Sequence, residues 1–452
     1  MSAPVAGAHR PAARGALLAE ATSLLRAGRF GEAEQRCRQA LAVHPSEPTA
    51  LHLLGVCLLQ QGRYEQAEQA LAACLQAQPE EPAALGNRGI ALQGLGRFDE
   101  ALACYGRSLQ LAPEQPATLN MQGLALMELK RFDEALQSFD RAVAVAPGFA
   151  EVWCSRANAL IQLQDYDQAL VSLDRAEALR PNYGEALSNR SIVLNLLGRH
   201  TEALAAAQRA LALLPHHPTV HRNLADALAG LKRHAEALEL YERLLVDNPA
   251  DLELRMERAV MLRELRRYGE ALAEFDRILQ ARPEDFAAMN ARGLALQGLG
   301  RYEEALESLV RAGQMKPDFH GAHTNEAWLR LLLGDFERGW QKYEWRKMNP
   351  THPLASRRFR QPLWTGKENI EGATILLYAE QGFGDAIQFV RFAPLVAARG
   401  ARVVLGVHPP LKRLLQTVDG IRVAEWIAQK AGAPVFAPFE RRTKAEDCAT
   451  DY

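Results

Sequence analysis

Apolar positions along this chain fall on helical spacings that recur in pairs. In residues 48–81, Leu51, Leu54, Gly55 and Leu58 share one face by i, i+3, i+4, i+7 spacing, and Ala67, Ala70, Leu71 and Cys74 repeat the pattern after Gly62. The spacing predicts two antiparallel helices. Gly62 suits the left-handed position that ends the first helix, and Glu65 suits the positive N-terminus of the second. Pro79 lacks an N–H and restricts Gln78, so the second helix stops before it. Alanine at 67 and glycine at 55 let the two backbones approach closely.

The unit recurs every 34 residues. Prolines stand at Pro45, Pro79, Pro113, Pro147, Pro181, Pro215, Pro249, Pro283 and Pro317. A second column runs through Phe30, Tyr64, Phe98, Phe132, Tyr166, Tyr268, Tyr302 and Phe336, with His200 and His234 in its other two places. Three residues later an alanine column extends from Ala33 to Ala305 and closes with Gly339 in a tenth copy. A fixed period of this size marks a unit that cannot bury its apolar face alone and must stack on its neighbours. Period, small residues, aromatic and proline together resemble the tetratricopeptide (TPR) repeat over roughly residues 15–343. The resemblance implies a mostly α fold, an α-solenoid of about ten helix-turn-helix copies.

Two columns vary. The inter-helix glycine holds at Gly28, Gly62, Gly96, Gly198, Gly300 and Gly334 but becomes Lys130, Gln164, Lys232 and Arg266 elsewhere. A non-glycine residue at positive φ costs on the order of 1 kcal/mol, so those four turns are predicted to be strained. His221 and Arg255 replace the leucine, or Trp153, found in the same column of other copies. Looser packing, with local opening, is expected there.

In arrays of this family the first helices line a concave groove, so the resemblance implies that the sixth residue of each copy faces a ligand. That column contains Asn87, Asn189, Asn223 and Asn325. An asparagine amide both donates and accepts, and can pair with a peptide backbone whatever its side chains. It is similar to the asparagine column in the TPR arm of protein O-linked N-acetylglucosamine transferases. Leu53, Met121, Ser155, Glu257 and Ala291 interrupt it, which leaves a second reading: polar residues on a solvated face. His320 with His323, and His216, His217 and His221, lack a carboxylate or cysteine to complete a ligand set, so no metal is expected.

The tenth copy carries Trp340, Tyr343 and Trp345, expected to dock the last repeat onto the domain after it. Residues 349–372 are rich in Pro, Arg and Gly and read as a linker. Apolar runs then begin at Thr374–Ala379 and Arg402–Val407, with another at Ile421–Ala424, alternating with helical stretches. Buried strands alternating with helices predict parallel βαβ units. The glycine turn Gln381-Gly382-Phe383-Gly384-Asp385 comes after the first strand, where such sheets bind ligands. It fails as a dinucleotide fingerprint, because Ile387 stands for the third glycine and His408 for the acidic residue.

This stretch resembles the acceptor half of heptosyltransferase-like, two-domain (GT-B) glycosyltransferases. The match rests on Tyr343-Glu344-Trp345-Arg346, Trp364-Thr365-Gly366, and Glu380 to Asp385 running into Gln388-Phe389-Val390-Arg391-Phe392. The resemblance implies that Asp385 is the base that deprotonates an acceptor hydroxyl, with Gln381, Gly382 and Gly384 forming the acceptor loop. The other reading makes Asp385 a helix cap bonding amides near Gln388. Such enzymes need a second domain for the nucleotide-sugar, and nothing after Trp426 is expected to supply it. The small α/β, Rossmann-like domain therefore reads as truncated. Expected organisation is a disordered N-terminus (1–13), solenoid (14–348), linker (349–372), partial α/β domain (373–426) and irregular tail (427–452).

Composition narrows the functions. With 53 Lys+Arg against 54 Asp+Glu, the net charge of −1 provides no basic field for nucleic acid or an anionic membrane. No apolar run approaches the ~18 residues of a spanning helix. The six cysteines lack metal spacing and read as reduced thiols of a cytoplasmic protein. The leading expectation is a scaffold whose groove binds peptide or protein partners, without a cofactor. The alternative is a glycosyltransferase that lacks its donor domain, and a nucleotide-sugar enters only if another chain supplies that half.

Overall fold

A computed structural model describes residues 9–349, 361–379, 382–418, 421–427 and 435–436. The chain forms two compact units, residues 1–265 and 266–452. The first holds seven helix pairs, from His9–Arg26 with Phe30–Val43 to Pro218–Gly230 with His234–Asp247, and ends with helix Leu252–Glu264. The second opens with Tyr268–Ala281 and continues through the pairs Phe286–Gly298 with Tyr302–Met315 and His320–Leu332 with Phe336–Tyr343.

The periodic residues do in the structure what their chemistry dictates. All ten positions of the glycine column have positive φ, including Lys130 at 58°, Gln164 at 61°, and Lys232 and Arg266 at 60°. The chain turns the same way in every copy, with or without glycine. Each residue of the alanine column, from Ala33 to Ala305, is fully buried. In four copies a glycine of the first helix lies under a large side chain sixteen residues later, at Gly55–Leu71, Gly89–Tyr105, Gly123–Phe139 and Gly293–Leu309. A Cβ added to Gly123 would stand 2.5 Å from the Phe139 ring, and Phe139 is fully buried. These contacts supply apolar burial at short backbone distance, which neither helix achieves alone.

Three expectations are corrected. Helix His9–Arg26 starts inside the stretch expected to be disordered, because the segment is alanine-rich and Pro11 falls in its first turn, where a missing N–H costs nothing. His221 and Arg255 are not packing faults. Each side chain donates to the carbonyl of the periodic proline six residues earlier, His221 Nε2 to Pro215 at 2.8 Å and Arg255 to Pro249 at 2.8 and 3.1 Å. Trp153 makes the same bond to Pro147 at 2.9 Å, so that column ties the loop to the helix it precedes. Thirdly, the aromatics of the tenth copy pack largely on their own repeat. The 3-10 turn Glu344–Met348 brings Trp345 to 4.4 Å from the His323 ring, and Tyr343 meets Trp328 and Trp340 edge-on at 5.2 and 5.6 Å. Trp328 and Trp340 remain more than half exposed.

The α/β part carries β1 (Thr374–Tyr378), β2 (Arg402–Val407), β3 (Arg422–Ile427) and β4 (Val435–Phe436), in that order across one sheet. β1 and β2 pair in parallel, as do β2 and β3, which the apolar runs predict. β4 returns antiparallel to β3, inside the stretch expected to be irregular. Val403, Leu405 and Val407 are buried on β2, and Leu405 and Val407 cluster with Leu411 and Leu415. Helices Phe383–Phe389 and Ala393–Ala397 are separated by a 3-10 turn at 390–392, where Pro394 forces a new start.

Candidate peptide-binding face

The four asparagines of the sixth column do not stand free. Each amide nitrogen points along the stack to the first helix of the preceding copy, always 35 residues earlier. Asn87 Nδ2 lies 2.8 Å from His52 Nε2, Asn189 Nδ2 is 3.3 Å from Cys154 Sγ, and Asn325 Nδ2 is 2.9 Å from Asn290 Oδ1. Asn223 Nδ2 bonds both the carbonyl and the hydroxyl of Ser188, at 3.1 and 2.9 Å, and is 4 % exposed. Asn223 thus points inward, contrary to the expectation for its column, because the fifth-column residue of the copy before presents acceptors within reach. The amides register neighbouring first helices.

His52 accepts the Asn87 amide, so its proton sits on Nδ1, and burial holds its imidazole below the ordinary histidine range. His323 is likewise spoken for. Its Nε2 donates to the Pro317 carbonyl at 2.9 Å, which leaves Nδ1 to accept from Lys342 Nζ at 3.0 Å. Lys342 and Arg330 in turn both bond the buried Glu326 carboxylate, at 3.1 and 2.8 Å.

Sequence reasoning missed the fifth column, whose signal is the same 34-residue period read one place earlier. It also missed a change of character near residues 222–257. There Asp226 accepts the Tyr241 hydroxyl at 2.5 Å, while burial pushes its carboxyl above the usual range despite that bond and the nearby Arg222. Burial, and then the Asp226 charge, push Glu257 up as well. Glu257 occupies the asparagine column, so an acidic stretch follows the amides along the first helices. Such a face pairs with backbone amides or cations.

In the α/β part, Gly382 rather than Asp385 caps helix Phe383–Phe389. Asp385 is an exposed carboxylate in the first turn, where the helix N-terminus favours it. Gly382 and Gly384 are exposed beside it, and Gln381 lies outside the described residues.

A family profile described as tetratricopeptide repeat matches residues 18–82, 87–148, 154–218, 199–251 and 222–286, and a second profile of that description matches 286–319. No match among curated proteins was found. Among solved structures, a tetratricopeptide repeat protein from Parabacteroides merdae is 19 % identical, with 55 % of this chain and 98 % of that one covered and a TM-score of 0.45. A thermophilic TPR protein of Thermus thermophilus is 29 % identical over 40 % of this chain and 99 % of its own, with a TM-score of 0.35. YrrB, described as a TPR protein with an unusual peptide-binding site, is 21 % identical over 41 % of this chain and 96 % of its own, also at 0.35. The glycosyltransferase resemblance of residues 334–425 gains no support from these comparisons. The first profile alone covers more than half of the sequence, and the chain belongs to the tetratricopeptide repeat family.

Proposed function

We propose that this repeat scaffold binds an extended segment of a protein partner along its first helices. The observation that carries the reading is the amide bonding of Asn87, Asn189 and Asn223 to the copy before, which holds successive first helices in register. A face fixed in this way loses little freedom when a peptide settles on it, and preorganisation lowers the cost of binding. Glu257, half-buried in the asparagine column of the next first helix, then biases the partner toward cationic side chains. No helix among the described residues is long and apolar enough to cross a membrane. The buried free thiols of Cys37, Cys57, Cys74, Cys104 and Cys154 suit a reducing compartment, so the cytoplasm is the proposed location.

Selection of peptides from a displayed random library on the full chain tests this. Basic sequences should be enriched, and Glu257→Lys should abolish their retention. Enrichment of acidic or purely apolar sequences, unaffected by that change, overturns the reading.

A further inference from the structure

The seventh residue of the first helix is arginine in five copies: Arg88, Arg156, Arg190, Arg258 and Arg292. Its seat is clearest in copy five, where Arg156 lies between neighbouring second helices. Nε donates to Asp140 at 2.7 Å and NH1 to Ser172 Oγ at 2.6 Å. Copy nine repeats both bonds, Arg292 to Asp276 at 2.7 Å and to Ser308 Oγ at 2.6 Å. Copy four retains the serine, as Ser138, but has Gln122 in place of the arginine and Gly106 in place of the aspartate. Ser138 Oγ instead lies 3.2 Å from Gln122 Oε1.

A shorter side chain leaves space. A cavity of about 280 Å³ opens there, lined by Leu102, Gln122, Leu126, Glu134 and Ser138, with Arg131 and Arg141 also on its wall. It is below the range of drug-sized sites and suits a single side chain. Buried Leu126 and half-buried Leu102 can cover an aliphatic stem, while Gln122 Oε1, which already accepts from the Ser138 hydroxyl, and Ser138 Oγ itself offer acceptors on the same wall. Glu134 on that wall is already paired with Arg131 at 2.7 Å, and an incoming guanidinium shares that carboxylate.

We infer that this slot receives an arginine side chain from a protein partner, in the place that copies five and nine fill from within. Arg141 adds a condition, since its exposed guanidinium repels a bare cation and attracts a carboxylate. The preferred partner segment therefore has an acidic residue next to its arginine. This site lies between second helices, so it stands or falls separately from binding along the first helices.

The test is titration of the full chain, with leucine methyl groups labelled for NMR, with the blocked dipeptide acetyl-Arg-Glu-amide and its Lys-Glu counterpart. Leu102 and Leu126 methyls should shift saturably with the arginine peptide and at least about fivefold more weakly with the lysine one, because only a planar guanidinium reaches both acceptors. Gln122→Arg should fill the slot and abolish the shifts. Gly106→Asp meets no atom within 4 Å of its new Cβ and restores the missing carboxylate, so it should tighten binding about tenfold. Equal shifts for both peptides, shifts that survive Gln122→Arg, or no gain in Gly106→Asp each overturn the inference.

Discussion

Asn223 donates its side-chain amide to the hydroxyl of Ser188, 35 residues earlier, at 2.9 Å, and both residues are buried. The bond joins helix Gly184–Leu196 to helix Pro218–Gly230 and makes this asparagine part of the stack. Asn223→Ala removes two hydrogen bonds and leaves Ser188 buried with fewer partners, a loss of about 1–3 kcal/mol. Asn189→Ala, whose amide reaches only a thiol at 3.3 Å, should cost less. Thermal melting of the two variants orders them, and hydrogen exchange should locate the Asn223→Ala loss in these two helices.

The four non-glycine turns yield the opposite sign. Lys130, Gln164, Lys232 and Arg266 sit at φ near 60°, where a Cβ is strained. Replacing each by glycine should stabilise by about 0.5–1 kcal/mol, net of the extra freedom glycine brings to the unfolded chain. Gly62→Ala, at φ 71°, should destabilise by a similar amount. Denaturation curves of the single variants decide both directions.

Phe139 is fully buried over Gly123, so Phe139→Ala opens a cavity in the core of the fourth copy. A loss of about 3–5 kcal/mol is expected. In a stacked array that loss should first appear as local melting of the helices around residues 116–145, visible by hydrogen exchange before the whole chain unfolds.

Acid should relieve the first-helix face. Glu257 has a folded pKa raised above its unfolded value, so between the two the folded state holds more protons and stability falls as pH rises through the folded value. Glu257→Gln should therefore raise the melting temperature at neutral pH, and its advantage should shrink as pH is lowered through the raised pKa toward the unfolded one. Melting curves at several pH values read this directly. An advantage that grows in acid contradicts the assignment.

Much of this was legible because the period never slips. A 34-residue register makes a turn position recognisable even when lysine or glutamine occupies it, which is why Lys130 and Gln164 could be placed at positive φ. Strands β1 and β2 were legible as apolar runs, since parallel strands bury most of their length. The asparagine partners were not legible. Whether an amide faces solvent or the next helix depends on how neighbouring helices pack, and the acceptor lies in another column, 35 residues away. Polar side chains in a leucine column misled for a related reason: the proline carbonyl that His221 reaches is a backbone group, common to every copy and invisible in side-chain patterns. The fold-back of Trp345 onto His323 likewise depends on a 3-10 turn that has no periodic signature.

Hydrogen exchange of the full chain with and without a selected basic peptide tests the central claim most directly. Binding along the first helices predicts protection in Gly184–Leu196, Pro218–Gly230 and Leu252–Glu264, with that protection lost in Glu257→Lys while the chain stays folded by circular dichroism. Protection confined to second helices such as His200–Leu213 and His234–Asp247, or to strands β1 and β2, would contradict it.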